Sequence, residues 1–206
     1  NIFRDLIALL GIFSLVLCFG ILPLFLYLLR PKVNPWAMLY GAQGPALAAW
    51  FSGDINFSLP VLLRHAKENH GIRRRSGAVT IALFSAFGRA GSAMVAASAF
   101  IVVIKSYSYL GILGIGVGNI FILWLRALLI SLLLARHPGN GAYTALAVLC
   151  IGYGKSFDAG YLLLKPLAFY LAAVGVFIDV MVWSFASCVL ARTGGFQEDK
   201  SIRHFI

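Results

Sequence analysis

The chain has 206 residues, of which 61% are hydrophobic and only 12% charged, with a formal net charge of +10. At a mean hydropathy of +0.90, there is too little polar surface to coat a water-soluble globule of this length, so lipid must cover part of it. In a soluble protein the positive charge would suggest nucleic acid; here it gathers in short segments between apolar stretches and reports membrane orientation, so no nucleic-acid partner is expected.

The first apolar stretch, residues 6–29, is interrupted only by Ser14 and Pro23. It supplies the roughly 20 residues that a helix needs to cross a bilayer core about 30 Å thick. It is too long for a cleaved signal peptide, and no small-residue cleavage site follows. The chain opens on Asn1 and turns apolar almost at once, so an amino-terminal portion is expected to precede it.

After the basic break from Arg30 to Pro35, residues 36–63 are apolar but Gly-rich and are interrupted by Gly53-Asp54-Ile55-Asn56. This pattern predicts a re-entrant hairpin, down and back on one side, ending in a basic loop from Arg64 to Arg75 where His65 and His70 are solvated, as is His204 in the tail. Residues 76–104 are long enough to cross but are broken by Phe87-Gly88-Arg89-Ala90-Gly91-Ser92. Non-helical backbone and a charge at membrane depth survive only against protein or a water-filled cavity, which makes the break a candidate site.

The Gly-rich residues 111–118 read as a connecting loop or short helix. Residues 120–153 repeat the hairpin pattern around Arg136-His137-Pro138-Gly139-Asn140-Gly141. A final span, 158–192, carries Asp179 in apolar surroundings and leads into a polar tail, 193–206. Basic residues cluster at Arg30/Lys32, at Arg64, Lys67 and Arg73 to Arg75, and at Arg192, Lys200 and Arg203. The positive-inside rule places these clusters, and the carboxy terminus, on the cytoplasmic side of the cytoplasmic (cell inner) membrane. The predicted fold is an all-α integral membrane protein: inverted repeats of a re-entrant helical hairpin plus a transmembrane helix, with one helix unwound mid-membrane.

Inverted units of this kind hold a substrate near the midplane in secondary transporters. Half-helix amino termini at the tips offer free N–H groups and a positive dipole end to an anionic ligand. Candidate substrate-binding residues are therefore Asp54, Ile55 and Asn56 at the first tip, Arg136, Pro138, Gly139 and Gly141 at the second, and Arg89 and Ser92 at the break. Asp179 is a candidate for holding an amino group. Arg89 has two readings: a structural ion pair with Asp54 or Asp179, or a bidentate site for a carboxylate. His137 is either a loop residue or a proton carrier.

Cys18, Cys150 and Cys188 sit in apolar stretches without CxxC or Cys/His clustering, so they read as small core hydrophobes. The tryptophans read as packing or interface anchors. No Ser/His/Asp grouping, metal cluster or phosphate loop appears, so enzymatic chemistry is not expected.

Val33-Asn34-Pro35, Ala49-Trp50-Phe51-Ser52, Ser58-Leu59-Pro60-Val61 and Arg64-His65-Ala66-Lys67-Glu68 resemble the first hairpin and following basic loop of the dicarboxylate/amino acid:cation symporter family, which includes glutamate transporters. Gly88-Arg89-Ala90-Gly91-Ser92-Ala93-Met94 resembles that family's unwound Asn-Met-Asp-Gly-Thr motif, and His137-Pro138-Gly139-Asn140-Gly141-Ala142 its second hairpin tip. The resemblance runs over essentially the whole chain and matches the family's carboxy-terminal half. It implies an elevator-type transport domain, a symporter of small amino acids or dicarboxylates, sodium or a proton as coupling ion, and a homotrimer built through helices outside this sequence.

By the same resemblance, the family's sodium-associated Asn and Asp fall on Gly88 and Ala90 and its Thr on Ser92, leaving Gly88 and Ser92 as the candidate sodium site. The family's amino-binding Asp falls on Asp179, its substrate-binding Arg on Val182, and a further Asn and Asp on Ala186 and Leu190. Loss of that Arg implies neutral substrate side chains, while Arg89 becomes a candidate stand-in for the bound cation. The opposing expectation is a non-transporting membrane ligand-binding or sensor protein on the same fold.

Overall fold

Elements are assigned on a computed structural model that describes residues 2–29, 34–108, 117–133, 141–153 and 159–196. The described regular elements are all helices. Three stretches, Phe3–Leu29, Arg74–Ser106 and Gly160–Thr193, are long and apolar enough to cross a membrane.

The first of these is α1 (Ile2–Leu15), a π-helical turn (Val16–Ile21) and α2 (Leu22–Leu29). Pro23 explains the wide turn. It has no N–H to give the preceding turn, and the helix answers by widening upstream, with Leu22 N–H donating back to Leu17 O. Much of this helix shows apolar side chains outward, Leu24, Phe25 and Leu28 among them, which suits lipid or a protein neighbour.

α3 (Pro35–Ser52) starts where the Asn34 side chain accepts from the N–H groups of Trp36 and Ala37 at 3.0 and 3.4 Å, with Pro35 at the first helical position. It stops at Gly53, whose φ of 63° is the left-handed conformation that glycine adopts without strain. α4 (Ile55–Glu68) starts two residues later, capped by Asp54. The two helices pack on each other, and both lie against α9 (Ala168–Thr193).

α4 continues to Glu68, so Arg64, His65 and Lys67 are helical, not part of a loop. The expectation that His65 and His70 are solvated is wrong: they are only 3% and 6% exposed. The cause is the helix end. Gly71, at φ 63°, lets Ile72 N–H bond back to Ala66 O at 2.9 Å, and this turn folds residues 69–72 under α3. The Asn69 amide then meets His65 Nδ1 at 2.8 Å, and the His70 ring lies against Gly41. His204 lies outside the described residues.

α5 (Arg74–Phe87) and α6 (Ala90–Ser108) form the second long stretch, divided at Gly88 and Arg89. α7 (Val117–Leu133) and α8 (Gly141–Tyr153) pack on each other and on α6. The loop at 111–118 and the tip before Gly141 fall mostly outside the described residues. The last stretch opens as a 3-10 helix, Gly160–Leu167, whose Pro166 can donate no helical bond, and becomes α9 two residues later. α9 is the central element: most of its side chains between Leu171 and Ala191 are buried, and α3, α4, α5, α6 and α8 all contact it. Cys18, Cys150 and Cys188 are buried, and none of them is in a disulfide.

Candidate functional site at the helix break

The break between α5 and α6 presses directly on α9, and glycine makes that approach possible. A Cβ on Gly88 would lie 2.6 Å from Trp183 Nε1 and 2.7 Å from Phe84 O. One on Gly91 would lie 2.7 Å from Ile178 Cβ and 2.8 Å from Gly175 O. No side chain fits at either position without displacing backbone or core. Trp183, itself fully buried, donates its indole N–H to Gly88 O at 2.7 Å, satisfying a carbonyl freed by the break.

α6 has an amino terminus inside the protein, and its first N–H groups need acceptors. Asp179 supplies them from α9. Its Oδ1 accepts from Gly91 N–H at 2.6 Å, and its Oδ2 accepts from the Ser92 hydroxyl at 2.6 Å and the Ser92 N–H at 3.3 Å. Asp179 is therefore an N-cap borrowed from a neighbouring helix, a negative charge at the positive end of the α6 dipole. It is fully buried.

Arg89 stands beside it, 4% exposed. Its guanidinium is within electrostatic reach of both Asp179 and Asp54. A Cβ on Gly141, the first residue of α8, would lie 3.3 Å from Arg89 Nη1. Gly175, one turn before Asp179, touches both sides of the cluster, since a Cβ there would meet Ser92 Cα at 3.1 Å and Ala142 Cβ at 3.4 Å. The break, the middle of α9 and the start of α8 thus meet around one guanidinium, with the α3–α4 connection within reach of its charge.

The other sequence-predicted residues are placed differently. Asp54 is half-buried and caps α4, its Oδ1 accepting from Asn56 N–H at 3.0 Å. Ile55 is a core side chain and Asn56 is exposed. Val182 lies away from the cluster, in an apolar groove of about 370 Å³ that it shares with Leu22, Phe25, Phe84, Ala186 and Leu190. Arg136, His137, Pro138 and Gly139 lie outside the described residues.

For a sodium ion at Gly88 and Ser92 the oxygens are of the right hard type, but both are already engaged. An ion there would use the second lone pair of Gly88 O, beside the Trp183 indole, and the lone pairs of the Ser92 hydroxyl, whose proton goes to Asp179. Among the described residues no group of three His, Cys, Asp or Glu side chains is arranged to hold a metal.

Trp183 and Gly175 are the parts of this site that the sequence pattern did not single out. A Trp in an apolar helix has the pattern of packing, and no local signal marks a carbonyl 95 residues away as its partner.

Residues 3–193 match the family model described as Sodium:dicarboxylate symporter family. No curated protein matched the chain.

Proposed function

Because the chain belongs to the sodium:dicarboxylate symporter family, we propose that it is the substrate-carrying part of a secondary active transporter for small carboxylates or amino acids in the cytoplasmic membrane. The observation that carries this reading is the buried Arg89 guanidinium at a helix break, beside the amino-terminal residue of α8. A fixed cation beside a helix amino terminus is a chemistry that favours a carboxylate.

In this reading, α3–α4 and α7–α8 are re-entrant hairpins of an elevator-type transport domain covering residues 1–206. The carboxy terminus is cytoplasmic, in keeping with the basic clusters, and the assembly is a homotrimer, in keeping with the family resemblance alone. Asp179 keeps the break assembled, and Arg89 is the group presented to substrate. Arg136, Pro138 and Gly139 complete the site from the second hairpin, and Asp54 balances charge from the first. The coupling ion is sodium, which the family's description names, or a proton.

Uptake by the purified protein in liposomes tests this. Imposed proton and sodium gradients would be compared with a panel of radiolabelled dicarboxylates, acidic amino acids and neutral amino acids. Concentrative, gradient-dependent uptake of a carboxylate is expected. Saturable binding without accumulation under either gradient would overturn the transporter reading in favour of a membrane ligand-binding protein.

A further inference from the structure

α4 ends and α5 begins at a surface groove of about 370 Å³ lined by Arg64, Lys67 and Arg74 together with Leu63, Ile72 and Ala78. We propose that this groove binds one anionic phospholipid, its phosphate held by the three cations and the start of an acyl chain lying along the apolar residues.

Charge complementarity points to this occupant. Arg64 and Lys67 are one helical turn apart on α4, so they share a face. Arg74 joins them from the first turn of α5, the helix that α4 packs against. Glu68 engages Arg64 only through Nε, at 3.1 Å, which leaves the two terminal nitrogens of the guanidinium for a second anion. Among the described residues no carboxylate pairs with Lys67 or Arg74. The α5 amino terminus adds to the same field, because its cap residue Arg73 has no side-chain acceptor for the first N–H groups.

Location separates a lipid from a soluble anion. Arg74 is the first residue of the membrane-capable stretch Arg74–Ser106, which is longer than the roughly 20 residues that cross a bilayer core, so its basic end is suited to the headgroup level. The headgroups of a leaflet rich in anionic lipid lie at this level, and Lys and Arg side chains there gain from them. A free phosphate would use the cations but not the exposed Leu63 and Ala78. A bound lipid would bridge α4 and α5, the joint between the first helix pair and the broken helix, and so tie transport to the anionic lipid content of the leaflet.

The test uses full-length protein in a neutral detergent, titrated with dioleoyl phosphatidylglycerol, dioleoyl phosphatidylcholine or glycerol 3-phosphate. Melting temperature and lipid retention in native mass spectrometry are read. Phosphatidylglycerol is expected to raise the melting temperature and be retained, and the other two to do neither. The combined variant Arg64→Gln/Lys67→Gln/Arg74→Gln should weaken this response roughly a hundredfold, as expected for three interfacial cations. Arg75→Gln, which removes a charge from the same joint but outside the groove, should change it less than twofold. Ala78→Phe fills the apolar part and keeps every charge, so it too should lose the response, and it decides the matter if the triple variant fails to fold. An undiminished phosphatidylglycerol response in Ala78→Phe or in a folded triple variant, or the same stabilisation from glycerol 3-phosphate, would overturn the proposal.

Discussion

Asp179 holds Ser92 at two points, taking its hydroxyl at 2.6 Å and its backbone N–H at 3.3 Å, both on Oδ2. With Gly91 N–H on Oδ1 at 2.6 Å, one carboxylate anchors the first turn of α6 to the middle of α9. A membrane helix interrupted at depth needs some such device, since unsatisfied amides in a dry interior are costly.

The anchor predicts strong coupling between these two side chains. Ser92→Ala should destabilise by about 1.5–3 kcal/mol, the value of a hydrogen bond to a charged group. Asp179→Asn should do at least as much, because its amide can turn only one acceptor toward three donors. Once either is changed, the other should matter less, giving a coupling of about 1–3 kcal/mol in a double-mutant cycle on denaturation in mild detergent. Strict additivity would show that the 2.6 Å contact contributes nothing to stability.

Gly91→Ala should be poorly tolerated, since its methyl would meet Ile178 Cβ at 2.7 Å and Gly175 O at 2.8 Å. Overpacking of this kind costs about 1–3 kcal/mol, and here it also pushes the break away from Asp179. Gly20→Ala makes the control: nothing lies within 4 Å of the new methyl, and the residue is helical, so stability should stay level or rise slightly. Equal melting temperatures for the two variants would count against close packing at the break.

Much of this arrangement was readable from the sequence because it is written in contrasts. Arg89 between glycines and Asp179 among apolar residues stand out against their surroundings, and hydropathy alone delimits the long helices. The stop at Gly53 with Asp54 after it is likewise local chemistry. What could not be read is tertiary. Nothing near Trp183 says that its indole will meet Gly88 O, and nothing near Asp54 says whether its carboxylate will serve α4, Arg89 or both. His65 and His70 sit among basic residues and look solvated; only the turn at Gly71 buries them.

That burial has a pH signature. His70 lies between α4 and α5, and its pKa is lowered from 6.5 to about 4, first by burial, then by His65 of α4 and Arg192 of α9. Because the folded state releases the proton more readily than the unfolded chain, the unfolded state binds more protons between about pH 6.5 and pH 4. Stability is therefore full above about pH 6.5 and is lost as pH falls through this window, by roughly 3 kcal/mol in all. Thermal melts of the detergent-solubilised protein from pH 7.5 to 4.5 should show this loss, and His70→Gln should flatten the slope relative to the parent. A variant slope identical to the parent's would assign the acid sensitivity to other groups.

The charge of Arg89, more than its shape, should govern ligand binding. Arg89 is 4% exposed and its guanidinium lies within electrostatic reach of Asp179 and Asp54, so it supplies positive charge beside the candidate sodium oxygens of Gly88 and Ser92. Ligand affinity measured in sodium and in choline should then be similar. Arg89→Met, of comparable length but neutral, should weaken carboxylate binding at least tenfold and lower stability, because buried Asp179 and half-buried Asp54 lose the cation in their field. The choice of rescue matters. Asp179→Asn would also undo the α6 cap, whereas Asp54→Asn removes a charge and keeps an N-cap, because Asn and Asp cap helices about equally well and the Asn56 N–H still finds an acceptor. Arg89→Met/Asp54→Asn should therefore recover part of the lost stability without recovering carboxylate affinity. Recovery of neither would make Asp179 the dominant partner, while an Arg89→Met protein that binds as tightly as the parent in sodium-free buffer would end the idea of a built-in cation.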